Sequence, residues 1–120
     1  MAQVLLIHHI QGLTPGILDF AGALRAAGHV VHTPDLFEGR TFASIEQGQA
    51  YCGEVGFEEV TARGIRAAEG LPTDLVYAGF SLGVMAAQQL AQHRPGARGA
   101  LLYHSFVDPA YFGGLSLIHI

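Results

Sequence analysis

Four short apolar runs separated by helical stretches constrain this chain more than anything else in it. They are VLLIH (4–8), HVVHT (29–33), DLVYAGF (74–80) and RGALLYH (98–104). The first is almost continuously apolar rather than alternating, the pattern of a strand covered on both faces and hence of a parallel sheet. In the intervening segments apolar residues recur at helical spacing. Strand, helix, strand, helix, strand, helix, strand is the order of an α/β domain with a doubly wound, mostly parallel sheet.

The punctuation between the runs agrees with that order. Thr14 stands as N-cap of the first helix and Pro15 at its first position, where a missing N–H is harmless. Ile17, Phe20, Ala21 and Leu24 form its apolar face, and Gly28 is the expected C′ stop. Ser44-Ile45-Glu46-Gln47 has the form of a capping box and opens a helix over 45–55. A further helix over 57–69 carries Phe57, Val60, Gly64 and Ala68 on one side and ends at Gly70-Leu71-Pro72. The helix after the third strand runs over 82–94 and stops at Pro95-Gly96. No internal repeat or linker divides the chain.

Composition narrows the function classes. Half of the 120 residues are apolar and 13% are charged, which suits a buried core and excludes a disordered chain. The net charge is −4, and the six cations are arginines scattered singly, so no basic face is offered to nucleic acid. One cysteine, Cys52, leaves no internal disulfide framework and fits a reducing compartment. MAQVLLIHHIQG lacks the basic start of a signal peptide, and no apolar run is long enough to cross a bilayer. The expectation is a soluble cytoplasmic protein with no membrane partner.

Chemistry is concentrated in LVYAGFSLGVMAAQQLAQ (75–92). Gly79-Phe80-Ser81-Leu82-Gly83 has the G-x-S-x-G form of a nucleophile elbow, with an apolar strand before it and an alanine-rich helix directly after it. That context matters because the serine must sit on a strained turn with its hydroxyl exposed above the strand ends. The glycines leave room for strand and helix to approach the turn, and the helix starting at Leu82 directs free N–H groups toward an oxyanion formed at Ser81. An ordinary Gly-Ser turn in a Rossmann-like domain is the other reading.

With VLLIHHIQGLTPG, AAGHVVHTPDLFEGRTF and YAGFSLGVMAAQQLA in view, the chain resembles the dienelactone hydrolase family of the α/β-hydrolase superfamily over about residues 3–113. Together with chain order, the resemblance implies a sheet in the order 2-1-3-4. It also implies hydrolysis of small-molecule esters or lactones without metal or organic cofactor. The family's usual nucleophile is cysteine in G-x-C-x-G; Ser81 takes that place, a departure from the founding members that leaves general esterase chemistry open. The backbone N–H groups of Ile10 and Leu82 would be the oxyanion donors. His9 stands where the family commonly has a glutamate near the nucleophile, able to contact Ser81 or substrate; a polar strand-end residue is the alternative. His8 reads as part of the strand and its packing.

Other reactive types read as structural. His29, His32 and His93 lie at element ends, and no histidine set has metal-ligand spacing with carboxylates or a C-x-x-C. Cys52 falls mid-helix and reads as buried. Asp35 reads as a turn residue and Arg40 as a solvated one, with an acidic substrate as the alternative for Arg40. A serine needs a base and an acid to orient it, and in α/β hydrolases these follow the serine along the chain. Only His104 and Asp108 follow Ser81 near a strand end. Asp108 could be an early acid; His104 precedes any such acid and is a poor base. The expectation is that the triad partners lie beyond Gly114. Consistent with that, Leu115-Ser116-Leu117-Ile118-His119-Ile120 back-translates as CTG TCT CTT ATA CAC ATC, the end sequence of a transposase-based sequencing adapter. Residues 1–114 are thus expected to be the N-terminal part of one hydrolase domain, inactive alone, and 115–120 an artefact, with a genuine short apolar strand as the alternative for that tail. The rival function is a non-catalytic Rossmann-like or hydrolase-fold binding domain. It is disfavoured because HHIQGLTPG lacks the G-x-G-x-x-G spacing.

Overall fold

The computed structural model describes residues 2–103. The expectations for His104, Asp108 and the tail at 115–120 lie outside them. Strands β1 (Gln3–Ile7), β2 (Val30–His32), β3 (Leu75–Phe80) and β4 (Gly99–Tyr103) form one sheet in the order β2-β1-β3-β4. Every pairing is parallel, with Gln3 opposite Val30 and Leu75, and Val76 opposite Gly99. The expected class and strand order are both realised.

Doubly wound burial follows from the side-chain alternation of β1 and β3. Val4, Leu6 and Ala78 face one side and pack with Ile17 and Ala21 of α1 (Pro15–Ala26). Leu5, Ile7, Leu75 and Tyr77 face the other side, under α2 (Ile45–Val55), α3 (Phe57–Ala67) and α4 (Val84–His93). Leu5, Leu6 and Ile7 have no exposed surface. Burial of that kind contributes about 1.5–3 kcal/mol per side chain and holds β1 at the centre of the sheet.

The helix ends show which sequence signals act. At the end of α1, Gly28 has φ +97°, its N–H donates to the Arg25 carbonyl at 3.0 Å, and the His29 N–H donates to the Leu24 carbonyl at 3.2 Å. That is a Schellman closure, and it draws His29 out of β2, which is shorter than 29–33 at both ends. Ser44 accepts from the Gln47 N–H, but Gln47 Oε1 reaches back to the Ala43 N–H, one residue before the cap. Thr14 is the N-cap of α1, with Pro15 following, yet its side chain makes no capping bond. Phe57 departs from the expected buried face. Val60, Gly64 and Ala68 are buried, whereas Phe57, at the first turn of α3, is 48% exposed and lines an open groove.

Candidate active site

The strand-to-helix turn after β3 has the geometry that a nucleophile elbow demands. Phe80 is extended, Ser81 has φ +51°, and a 3₁₀ turn (Ser81–Gly83) leads into α4. A left-handed conformation at a non-glycine residue costs on the order of 1–2 kcal/mol and persists only where the surroundings impose it. Two close approaches impose it here. A Cβ on Gly79 would fall 2.6 Å from the Gly83 carbonyl oxygen, and one on Gly83 would fall 2.5 Å from that of Ile7 and 2.7 Å from that of His8. The first glycine lets the helix start fold back on its own strand; the second seats that start against the end of β1. Crowding of this kind also accounts for the tightened first turn, so the α-helix begins at Val84 rather than Leu82. Ser81 is exposed.

The segment after β1 is the other wall. The Gly12 N–H donates to the His9 carbonyl at 3.0 Å, closing a turn with Ile10 and Gln11 at its corners. The Gln11 N–H donates to His9 Nδ1 at 3.2 Å. Gln11 then latches the turn to the loop before α2: its Nε2 donates to the Ala43 carbonyl at 3.2 Å, and its own carbonyl accepts from the Phe42 N–H at 2.9 Å. On the far side, Gly48 of α2 lies so close that a Cβ there would stand 2.0 Å from the Ile10 carbonyl oxygen.

His8 is fully buried, with its ring edge-on to Phe37 at a centroid distance of 4.8 Å. Nε2 accepts from the Leu36 N–H at 3.0 Å, and Nδ1 lies 2.8 Å from the His9 carbonyl oxygen. A carbonyl only accepts, so Nδ1 carries the proton and Nε2 the lone pair, a neutral imidazole. Burial pushes its pKa below the ordinary histidine value, against an opposing contribution from the His9 carbonyl bond.

In outline, the fold matches known structures. The chain aligns over 87% of its length with a dienelactone hydrolase-like promiscuous phosphotriesterase from metagenomic libraries, at TM-score 0.63 and 18% identity. It aligns over 84% with a putative dienelactone hydrolase from Klebsiella pneumoniae subsp. pneumoniae MGH 78578, at TM-score 0.63 and 20% identity. A structure named m3DLH aligns over 86%, at TM-score 0.66 and 18% identity. The fold is that of the dienelactone hydrolases. At such identities the likeness establishes the fold alone, and the chain spans 47% of the length of each of these structures. No protein-family model and no curated protein matches it.

Within this dienelactone hydrolase fold, Ser81, Leu82, His9 and Ile10 lie on the two segments that meet at the C-terminal ends of β1 and β3. Leu82 also lines the groove of about 600 Å³ that opens between α3 and α4, together with Phe57, Ala62, Ile65 and Met85. The remaining candidates take structural places. Asp35 accepts from the Phe37 and Gly39 N–H groups and shapes the loop after β2. Arg40 is exposed, with its guanidinium 5.4 Å from the centre of the Tyr51 ring. His29 Nδ1 accepts from the Ala2 N–H, and His32 Nε2 pairs with Gln3 Oε1. Cys52 is buried, and burial raises its thiol pKa, the opposite of a reactive thiolate. No cluster of metal-ligating side chains and no membrane-length apolar helix occurs among the described residues.

One organising residue carries no signal in the sequence. The Arg63 guanidinium donates to the Leu36 carbonyl at 2.7 Å and to the Tyr51 hydroxyl at 3.1 Å, and pairs with Glu38 and Glu59. Leu36 is thus held from both sides, its N–H by His8 and its carbonyl by Arg63. Glu59 is shared with Arg66, and the two guanidiniums hold its carboxyl below the usual carboxylate range. A lone arginine at position 63 of a helix reads as solvated until the loop it reaches is known.

Proposed function

We propose that this protein is a serine hydrolase of carboxylic esters or lactones with Ser81 as its nucleophile. The observation that carries the reading is the conformation of Ser81 itself. An exposed serine is held at φ +51° between two glycines that backbone contact leaves no room to replace. Strain of this kind, at the end of a central strand and the start of a helix, is what an elbow stores.

In this reading Ser81 Oγ attacks the acyl carbon, and the Leu82 and Ile10 N–H groups hold the oxygen that becomes negative. The Leu82 N–H belongs to a helix first turn, whose N–H groups lack intrahelical acceptors. His9 acts as a donor to substrate rather than as the base. Its Nδ1 accepts from Gln11, so in the neutral ring the proton sits on Nε2. His8 is no base either, with both nitrogens engaged away from solvent. The base and its orienting acid come from sequence outside residues 2–103. The base takes the Ser81 proton while the acid orients it, and returns that proton to the leaving alkoxide as the ester C–O bond breaks. Water, activated by the same base, then attacks the acyl-enzyme and releases the carboxylic acid and free Ser81.

Turnover of p-nitrophenyl acetate tests this. The 120-residue chain should show little or none, and a version extended by its natural downstream sequence should hydrolyse the ester. In that version Ser81→Ala should lower the rate on the order of 10⁴-fold or more, and Ser81→Cys should retain part of it. An esterase rate untouched by Ser81→Ala would refute the assignment.

A further inference from the structure

A donor to an oxyanion is useful only if it is aimed before the charge develops. A backbone N–H has no side chain to steer it, and its direction is that of its whole peptide plane. The Ile10 N–H belongs to the same peptide group as the His9 carbonyl. The chain contains no cis peptide among the described residues, so that carbonyl and that N–H point in opposite directions.

Two donors converge on the His9 carbonyl: the Gly12 N–H at 3.0 Å and the His8 imidazole Nδ1–H at 2.8 Å. The second comes from a ring with no exposed surface, so the carbonyl is turned toward the interior and the Ile10 N–H away from it. The His8 ring is itself fixed at its opposite nitrogen by the Leu36 N–H at 3.0 Å, and Leu36 is fixed in turn by Arg63. Phe37 closes the ring from its edge. A rigid chain of contacts therefore runs from α3, through the loop after β2, to a single peptide group.

Resting on the reading of Ser81 as nucleophile, we propose that His8 is a positioning residue for the oxyanion site: its imidazole clamps the His9 carbonyl and so aims the Ile10 N–H. His8 touches no substrate. Its two nitrogens do separate jobs, the Nδ1–H holding the peptide and Nε2 holding the loop. Only a neutral ring of this tautomer does both.

That division can be tested with two near-isosteric variants of the protein extended by its natural downstream sequence. In His8→Asn the side-chain amide N–H stands where Nδ1–H stood, and the bond to Leu36 is lost. In His8→Gln the side-chain carbonyl can stand near the place of Nε2, and the bond to the His9 carbonyl is lost. Each variant drops one structural hydrogen bond, so both should melt below the wild type by comparable amounts. The positioning role predicts a split between them. His8→Gln should shift the Ile10 amide signal in a ¹H–¹⁵N spectrum and lower kcat on the ester about tenfold or more with little change in KM. His8→Asn should leave that amide near its wild-type position and recover most of kcat. The proposal is overturned if His8→Gln leaves the Ile10 amide and kcat unchanged. It is equally overturned if both variants lose activity alike, in step with stability. Absence of esterase activity in the extended protein with His8 intact would defeat the reading of Ser81, and the amide comparison would still decide whether His8 orients the Ile10 peptide.

Discussion

Two glycines of α2 should respond in opposite directions to the same substitution. Gly48 and Gly53 both stand inside the helix, where alanine is intrinsically favoured by about 1 kcal/mol. A methyl group on Gly53 meets nothing within 4 Å, so Gly53→Ala should gain most of that amount and raise Tm by about 2–4 °C. A methyl group on Gly48 would lie 2.0 Å from the Ile10 carbonyl oxygen, and ordinary contact needs at least 3.4 Å. The helix and the turn must therefore part by about 1.4 Å. The obstacle is backbone already latched by Gln11, so rotamer change cannot relieve it. Overpacking of this kind costs about 1–3 kcal/mol, and a rigid obstacle belongs at the upper end. After the helix-propensity gain, Gly48→Ala should lose about 2 kcal/mol and lower Tm by about 8 °C. Thermal unfolding followed by far-ultraviolet circular dichroism measures both variants against wild type. In the extended protein, the proposed mechanism, with Ile10 as an oxyanion donor, predicts that Gly48→Ala also depresses kcat. A Gly48→Ala protein as stable as Gly53→Ala would mean that α2 does not rest on the turn as described.

Acid should weaken the fold through His8. Its pKa is lowered by burial from the 6.5 of the unfolded chain, so as pH falls below that value the unfolded state binds more protons and stability drops. The Tm gap between wild type and His8→Asn should narrow from pH 7.5 to pH 5.5, and a constant gap would speak against a buried neutral ring. At the elbow, Ser81→Gly removes the penalty for φ +51° and should stabilise the fold by about 1 kcal/mol while abolishing ester turnover. A melt showing Ser81→Gly less stable than wild type would place the strain elsewhere.

The elements and their order were legible because their signals are local. The apolar run at 4–8 and the stop at Gly28 need no knowledge of distant residues, and parallel winding follows from their alternation. The elbow was legible for the same reason, since strand, serine and helix are contiguous. What escaped the sequence is contact between segments far apart in it. His8 looks like one more strand residue until Leu36 is seen on its ring. Gly48 looks like a weak helix position until Ile10 is seen against it. Phe57 fits the spacing of Val60 and Gly64, but the first turn of α3 overhangs a groove instead of the core, so periodicity assigned it to the wrong side. The 3₁₀ turn at Ser81–Gly83 has a similar origin, because its crowding comes from β1, more than seventy residues earlier.

The central pairing of β1 with β3 also bears on how the site comes into being. Ile7 lies beside Gly79, so the turn with Ile10 and the elbow with Ser81 are neighbours only through a ladder that joins chain segments 72 residues apart. Closing a loop of that length costs about 4 kcal/mol in chain entropy before any ladder bond offsets it. Long-range parallel pairings of this sort form slowly. During synthesis the first half of the chain can assemble β1, α1 and β2 while containing no part of the elbow. The proposed nucleophile and the proposed oxyanion turn then meet in a single late event, and a chain stalled before it holds no fraction of the proposed activity.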